Sequence, residues 1–151
     1  DRAYFTARAS AFNDVALRQY DAAIATIKAN YSGVPVGASE SIFAMLASAL
    51  GVDLITPPTF LKAISEGTDV SAADKETIDT QIKDHEIKVY VYNSQNLTPD
   101  VEAQLREVKA AHIPYATITE TLVPAGTTYQ AWQTRQLLGI QAALARATGV
   151  R

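Results

Sequence analysis

Residues 87–92 read IKVYVY, an apolar, β-branched and aromatic run that predicts a β-strand ending at the turn-forming Asn93. Three further short runs of β-forming residues stand at positions 34–38, 52–55 and 115–118. Helical segments separate all four runs, and this alternation is typical of βαβ units with a parallel sheet. Right-handed crossovers then place helices on both faces of the sheet. The sequence therefore predicts an α/β fold, a three-layer sandwich with a four-stranded parallel sheet.

The segment before the first strand predicts one long helix. From Arg2 to Asn30 there is no Pro or Gly, and large apolar residues recur at helical spacing. Gly33 and Pro35 end this helix, and Ser39 stands where it could cap the next one. Four strands are few for a free-standing domain, so we expect one lobe of a two-lobed protein.

Composition narrows the class of protein. The chain has 151 residues, of which 48% are hydrophobic and 19% charged, as expected of one globular domain. Its net charge of −3 gives no basic excess, so a nucleic-acid partner is not expected. It has no cysteine, which excludes disulfides, thiolate metal ligands and cysteine nucleophiles. The chain begins at Asp1 without a signal-like segment, so we expect excision from a longer chain.

Two carboxylates follow strands of the predicted sheet. Glu40 follows VPVGA, and Glu120 follows YATI. Ligands of parallel α/β sheets bind at the carboxyl ends of the strands, so both side chains are candidates for one site. Carboxylates brought together there repel unless a cation, a proton or a basic group lies between them, which makes a divalent metal site one interpretation. The alternative is that Glu40 is a first-turn acid stabilised by a helix dipole and Glu120 a solvated loop residue.

Other motifs argue against an enzyme. His85 precedes its strand and His112 ends a helix, so neither is expected at the strand tips, and no Ser–His–Asp set is predicted there. The phosphate-binding patterns GxGxxG and GxxxxGK[ST] are both missing. Asn93 stands at the tip of the third strand, where it could orient a ligating carboxylate or could simply form a turn.

Three strings together resemble a known family. They are VPVGASESIFAMLASALGVDLITP, IKVYVYNSQNLTP and ITETLVPAGTTYQAWQ. In their order and spacing they are similar to the C-terminal lobe of the zinc- or manganese-binding proteins of metal ABC transporters, over essentially the whole chain. This resemblance implies residues 1–30 as a long connecting helix and residues 31–151 as the C-terminal α/β metal-binding lobe.

The resemblance also implies a ligand set and a function. Two α/β lobes would hold the metal between them, with Glu40 and Glu120 at the ligand positions of this lobe. The amino-terminal lobe, which usually supplies two histidines, would precede this chain. The function implied is extracytoplasmic capture of zinc or manganese, without catalysis, for delivery to an ABC-transporter permease. Glutamate in place of a third histidine favours manganese, but zinc accepts carboxylates too, so both metals stay open.

Two other functions remain open at this point. One is a free-standing flavodoxin-like regulatory or interaction domain without metal, in which Glu40 and Glu120 would both be solvated and would lie far apart. The other is a lobe that binds a non-metal ligand such as chelated iron or a corrin.

Overall fold

Four short parallel strands form the centre of the structure, a computed structural model that describes residues 1–150. In chain order they are β1 Pro35–Ala38, β2 Asp53–Leu54, β3 Val89–Asn93 and β4 Tyr115–Ile118. Their order across the sheet is β2-β1-β3-β4, and every neighbouring pair is parallel. The predicted four-stranded parallel sheet is confirmed, with β2 and β3 shorter than the sequence indicated.

Helices cover both faces of this sheet. They are α1 Arg2–Ala11, α2 Arg18–Tyr31, α3 Ala44–Leu50, α4 Pro58–Glu66, α5 Ala72–Lys83, α6 Pro99–Ala110 and α7 Tyr129–Thr148. Helix α2 packs against α3 and α7, whereas α5 packs against α4 and α6, which gives the two helical layers of the predicted sandwich. Within residues 1–150, no helix has the length and hydropathy that a membrane span needs.

The sheet core is apolar on both faces, as a covered parallel sheet requires. Val89, Tyr90 and Val91 of β3 are fully buried. Gly37 of β1 pairs with Tyr90, and a Cβ at this glycine would lie 2.5 Å from the Cδ1 atom of Ile87. Glycine therefore lets β1 approach the start of β3 closely, and this approach brings the ends of the two strands together.

The predicted long first helix is present, but it consists of two α-helices joined by a π-helical turn. A π-helical turn, Phe12–Ala16, separates α1 from α2, and the Leu17 N–H donates to the Phe12 carbonyl at 3.0 Å. This bond spans five residues instead of four, so it inserts an extra residue into the helix. The Phe12 ring lies 6.4 Å from the Tyr129 ring, which anchors the turn on α7. None of the residues of α1 is buried in this structure.

Candidate metal centre

The candidate site lies where the strand order diverges. The chain leaves β1 for β2 on one side, and it leaves β3 for β4 on the other. Such a switch point forms a crevice outside the carboxyl ends of the two central strands, where open α/β sheets bind their ligands. Glu40 follows β1 by two residues, and Asn93 is the last residue of β3. Glu120 follows β4 by two residues and completes the edge of the crevice.

One amide group joins the two candidate carboxylates. The Nδ2 atom of Asn93 donates to Oε1 of Glu40 at 2.5 Å and to Oε1 of Glu120 at 2.7 Å. Ionised carboxylates only accept hydrogen bonds, so the amide must present its nitrogen to both of them. The predicted convergence of Glu40 and Glu120 at the carboxyl ends of the strands is therefore confirmed.

Glu40 is buried without a basic partner. Glu40 is 3% exposed, and Asn93, which contacts it, is fully buried. Among the described residues the two ion pairs are Lys62–Glu66 and Lys75–Asp100, so neither involves the site. Burying a carboxylate is costly unless charge or hydrogen bonds compensate it, and here only neutral amides do so. The non-metal alternative expected both glutamates to be solvated and far apart. Glu120 is exposed as it expected, but Glu40 is buried and one amide joins the two carboxylates, so the other two expectations are wrong.

The predicted capping role of Ser39 was also wrong. Its Oγ atom accepts a hydrogen bond from the backbone N–H of Asn93 at 3.0 Å, and its own N–H donates to the Val91 carbonyl at 3.0 Å. Ser39 therefore ties the tip of β1 to the tip of β3, because pairing across the strands competes with capping for the same hydroxyl. The N–H of Ser41 in the next turn is served instead by the Ser65 hydroxyl, at 3.1 Å.

Two further amide side chains hold the site. The strand-end rule placed Gln95 in the region to search but gave it no role, and sequence reasoning did not single out Asn96. Asn96 donates from Nδ2 to Oε2 of Glu40 at 2.5 Å. Gln95 accepts at Oε1 from the backbone N–H groups of Glu120 at 2.9 Å and Thr121 at 3.0 Å. The signal in the sequence is the composition of NSQN at 93–96, where three amides stand within four residues after a strand.

A groove of about 490 Å³ adjoins Glu120 between α3 and α7. Its lining is largely apolar or aromatic and includes Ile42, Met45, Leu46, Tyr129 and Trp132. Met45 is 87% exposed and Tyr129 is 47% exposed, so apolar surface continues beyond the groove. Burial, with smaller effects of Tyr129 and Asp21, raises the pKa of the Tyr20 hydroxyl on the groove wall, which keeps this phenol neutral.

The two histidines lie away from the carboxylates. His85 and His112 line one hollow with Lys88 and Arg146, where β3 and β4 begin. Both have φ near 55°, the left-handed conformation, at the turns that follow α5 and α6. The prediction that neither histidine reaches the strand tips is confirmed. Within residues 1–150, no group of three or more His, Asp or Glu side chains could hold a metal ion.

Comparison with known families gives a match over most of the chain. The model of a family described as zinc-uptake complex component A, periplasmic, matches residues 1–143. A search of curated protein sequences finds no match to this chain.

Several solved structures share the fold. A cadmium-bound periplasmic metal-binding protein from Candidatus Liberibacter asiaticus has a TM-score of 0.61 and 17% identity, over 83% of this chain and 46% of that one. The laminin-binding protein Lbp of Streptococcus pyogenes has a TM-score of 0.61 and 18% identity, over 93% and 52%. A zinc-bound mutant variant of AdcAII from Streptococcus pneumoniae has a TM-score of 0.59 and 16% identity, over 90% and 49%. The chain spans about half the length of these proteins.

Proposed function

This chain belongs to the family of zinc-uptake complex component A periplasmic proteins, and on that premise we propose that it is the metal-binding C-terminal lobe of a receptor that captures zinc or manganese. The family is one of solute-binding receptors and not of enzymes. In the proposed role the protein binds the ion and releases it without any chemical reaction.

The observation that carries this proposal is the buried carboxylate of Glu40 facing Glu120 across the Asn93 amide. Two carboxylates at one crevice, neither of them in an ion pair within residues 1–150, form a centre of negative potential. A divalent cation is the ligand that such a centre stabilises most, because it compensates both charges at once. We assign Glu40 and Glu120 as ligands, and Asn93 as the residue that orients them.

Two carboxylates do not complete the coordination of zinc or manganese. A closed zinc site in a protein has four protein ligands, and manganese sites take more. The missing ligands would come from an amino-terminal lobe that precedes residues 31–151, with residues 1–30 as the connecting helical segment. The length of the compared structures supports this, since the chain spans about half of each.

Exposed apolar side chains support a second lobe that covers this one. They include Met45 and Tyr129 beside Glu120, and Tyr4 and Phe5 on α1. Met45 and Tyr129 line one groove, and an exposed apolar patch of this kind is typical of an interface. The complete protein would work outside the cytoplasmic membrane, in the periplasm or anchored at the cell surface, and would deliver its ion to an ABC-transporter permease.

The choice between zinc and manganese depends on the ligands in the other lobe. Carboxylate oxygens favour manganese more than imidazole nitrogens do, and zinc binds both donor types well. Equal numbers of histidine and carboxylate ligands would therefore allow either ion, with zinc bound more tightly in the usual order of divalent metals.

The test is a metal titration of the full-length protein in competition with a chelator. Glu40→Ala and Glu120→Ala should each weaken zinc and manganese binding at least about tenfold. Loss of a group that only hydrogen-bonds to a metal ligand already weakens binding by about this factor. Glu86→Ala, an exposed carboxylate near the histidines, is the matched control and should bind as the parent does. Parental affinity in both site variants would contradict the proposal.

A further inference from the structure

We propose that the three amide side chains of the turn after β3, those of Asn93, Gln95 and Asn96, position both metal-binding carboxylates and so set the affinity of the site. This inference rests on the proposed function, because it concerns the same two glutamates. It adds two positioning residues, Gln95 and Asn96. Both residues lie in the short connection between β3 and α6. Gln95 contacts the loop that carries Glu120, and Asn96 contacts Glu40.

Gln95 fixes the loop that carries Glu120. Its single Oε1 atom accepts from two consecutive backbone N–H groups, those of Glu120 and Thr121, and its Nε2 atom donates to the Thr121 hydroxyl at 2.6 Å. Glu120 is exposed, so packing does little to hold its backbone. The three hydrogen bonds to Gln95 therefore hold the backbone from which this carboxylate projects, while the Asn93 amide contacts the carboxylate itself.

Asn96 fixes the carboxylate of Glu40 from the side opposite Asn93. Its Nδ2 atom donates to Oε2 of Glu40 and lies 3.5 Å from the Ile64 carbonyl in α4. Both oxygens of Glu40 are thus held, one by each asparagine. Each oxygen keeps a further lone pair, so a cation can bind while the two amides stay in place.

Asn93 joins these two arrangements into one unit. Its Oδ1 atom accepts from the Gln95 N–H at 2.9 Å, which closes the turn and directs Nδ2 toward both carboxylates. The turn is thereby held by contacts within the protein itself. Such prior organisation raises affinity because binding does not have to order the ligands.

The first arm of the test needs no metal. Amide hydrogen exchange in the full-length, metal-free protein should be faster at Glu120 and Thr121 in the Gln95→Ala variant than in the parent. Gln95→Glu keeps an acceptor oxygen for both N–H groups and should restore their protection. Ser94→Ala changes an exposed side chain of the same turn and is the matched control.

The second arm measures metal. Gln95→Ala and Asn96→Ala should each weaken zinc binding about 10- to 100-fold, the usual effect of losing a group that orients a ligand. The visible absorption of bound cobalt should also shift, because the ligand geometry changes as well as the affinity. Ser94→Ala should leave both the affinity and the spectrum as in the parent.

The outcomes separate the two claims. The positioning role would be overturned if hydrogen exchange is unchanged in Gln95→Ala. It would also be overturned if Gln95→Ala and Asn96→Ala bind zinc as the parent does while Glu40→Ala binds it weakly. Either result would leave the proposed function standing. Parental affinity in Glu40→Ala and Glu120→Ala as well would overturn both.

Discussion

Asn93 and Glu40 lie 53 residues apart in the sequence, yet the amide nitrogen of one donates to the carboxylate of the other inside the protein. Both side chains are almost fully buried. The contact depends on the parallel pairing of β1 with β3, which aligns the ends of the two strands. The carboxylate therefore lies at the sheet edge, where strand pairing and the Asn93 amide hold it.

The Asn93 amide should stabilise the metal-free chain, because it is the donor shared by two carboxylates. Asn93→Asp has nearly the same shape but replaces this donor with a third negative charge. At pH 7 the free energy of unfolding should fall by about 1–3 kcal/mol or more, as for other buried groups left without a partner. Urea unfolding measures this, with the exposed Asn13→Asp as control. An unchanged urea midpoint would contradict the role assigned to the amide.

The hydroxyl of Tyr90 should contribute to stability in the sheet core. Tyr90 is fully buried in β3, and it donates to Oε1 of Gln104, which is 3% exposed. Tyr90→Phe leaves that oxygen buried without a donor, so the free energy of unfolding should fall by about 1–3 kcal/mol. In the double variant Tyr90→Phe with Gln104→Leu, part of this loss should return. The account would be contradicted if the double variant loses more unfolding free energy than the two single variants lose together.

Stability should also fall at alkaline pH through the same residue. Burial raises the pKa of the Tyr90 hydroxyl far above its ordinary value near 10. Above about pH 10 the unfolded chain loses this proton while the folded chain keeps it, so the stability present at lower pH declines as pH rises. The Tyr90→Phe variant lacks this group, and its free energy of unfolding should decline less steeply between about pH 10 and 11. Equal slopes for the parent and the variant would exclude Tyr90 as the cause.

The sheet and the two glutamates could be predicted because local signals determine them. Runs such as IKVYVY mark strands, and alternation with helices implies parallel pairing, so residues that follow strands must share one edge. Glu40 and Glu120 were found in this way. The same rule placed His85 and His112 elsewhere.

The supporting contacts could not be predicted, because they depend on tertiary geometry. Serine is a common helix-capping residue, but the Ser39 hydroxyl instead accepts a hydrogen bond from the Asn93 N–H across the paired strands. Gln95 and Asn96 resemble ordinary turn residues until β4 and α4 bring Glu120 and Ile64 to them. The π-helical turn at Phe12–Ala16 carries a ring contact with Tyr129 of α7, and alanine-rich helical spacing reveals neither the turn nor the contact.

The most direct test of the metal-binding claim is the anomalous scattering of zinc in crystals of the full-length protein grown with the ion. The account predicts one strong peak at the crevice outside β1 and β3, with an oxygen of Glu40 and an oxygen of Glu120 each about 2.0–2.2 Å from the ion. The remaining ligands should come from the preceding lobe. A fully occupied zinc ion that contacts neither glutamate, or one bound at His85 and His112, would contradict the account.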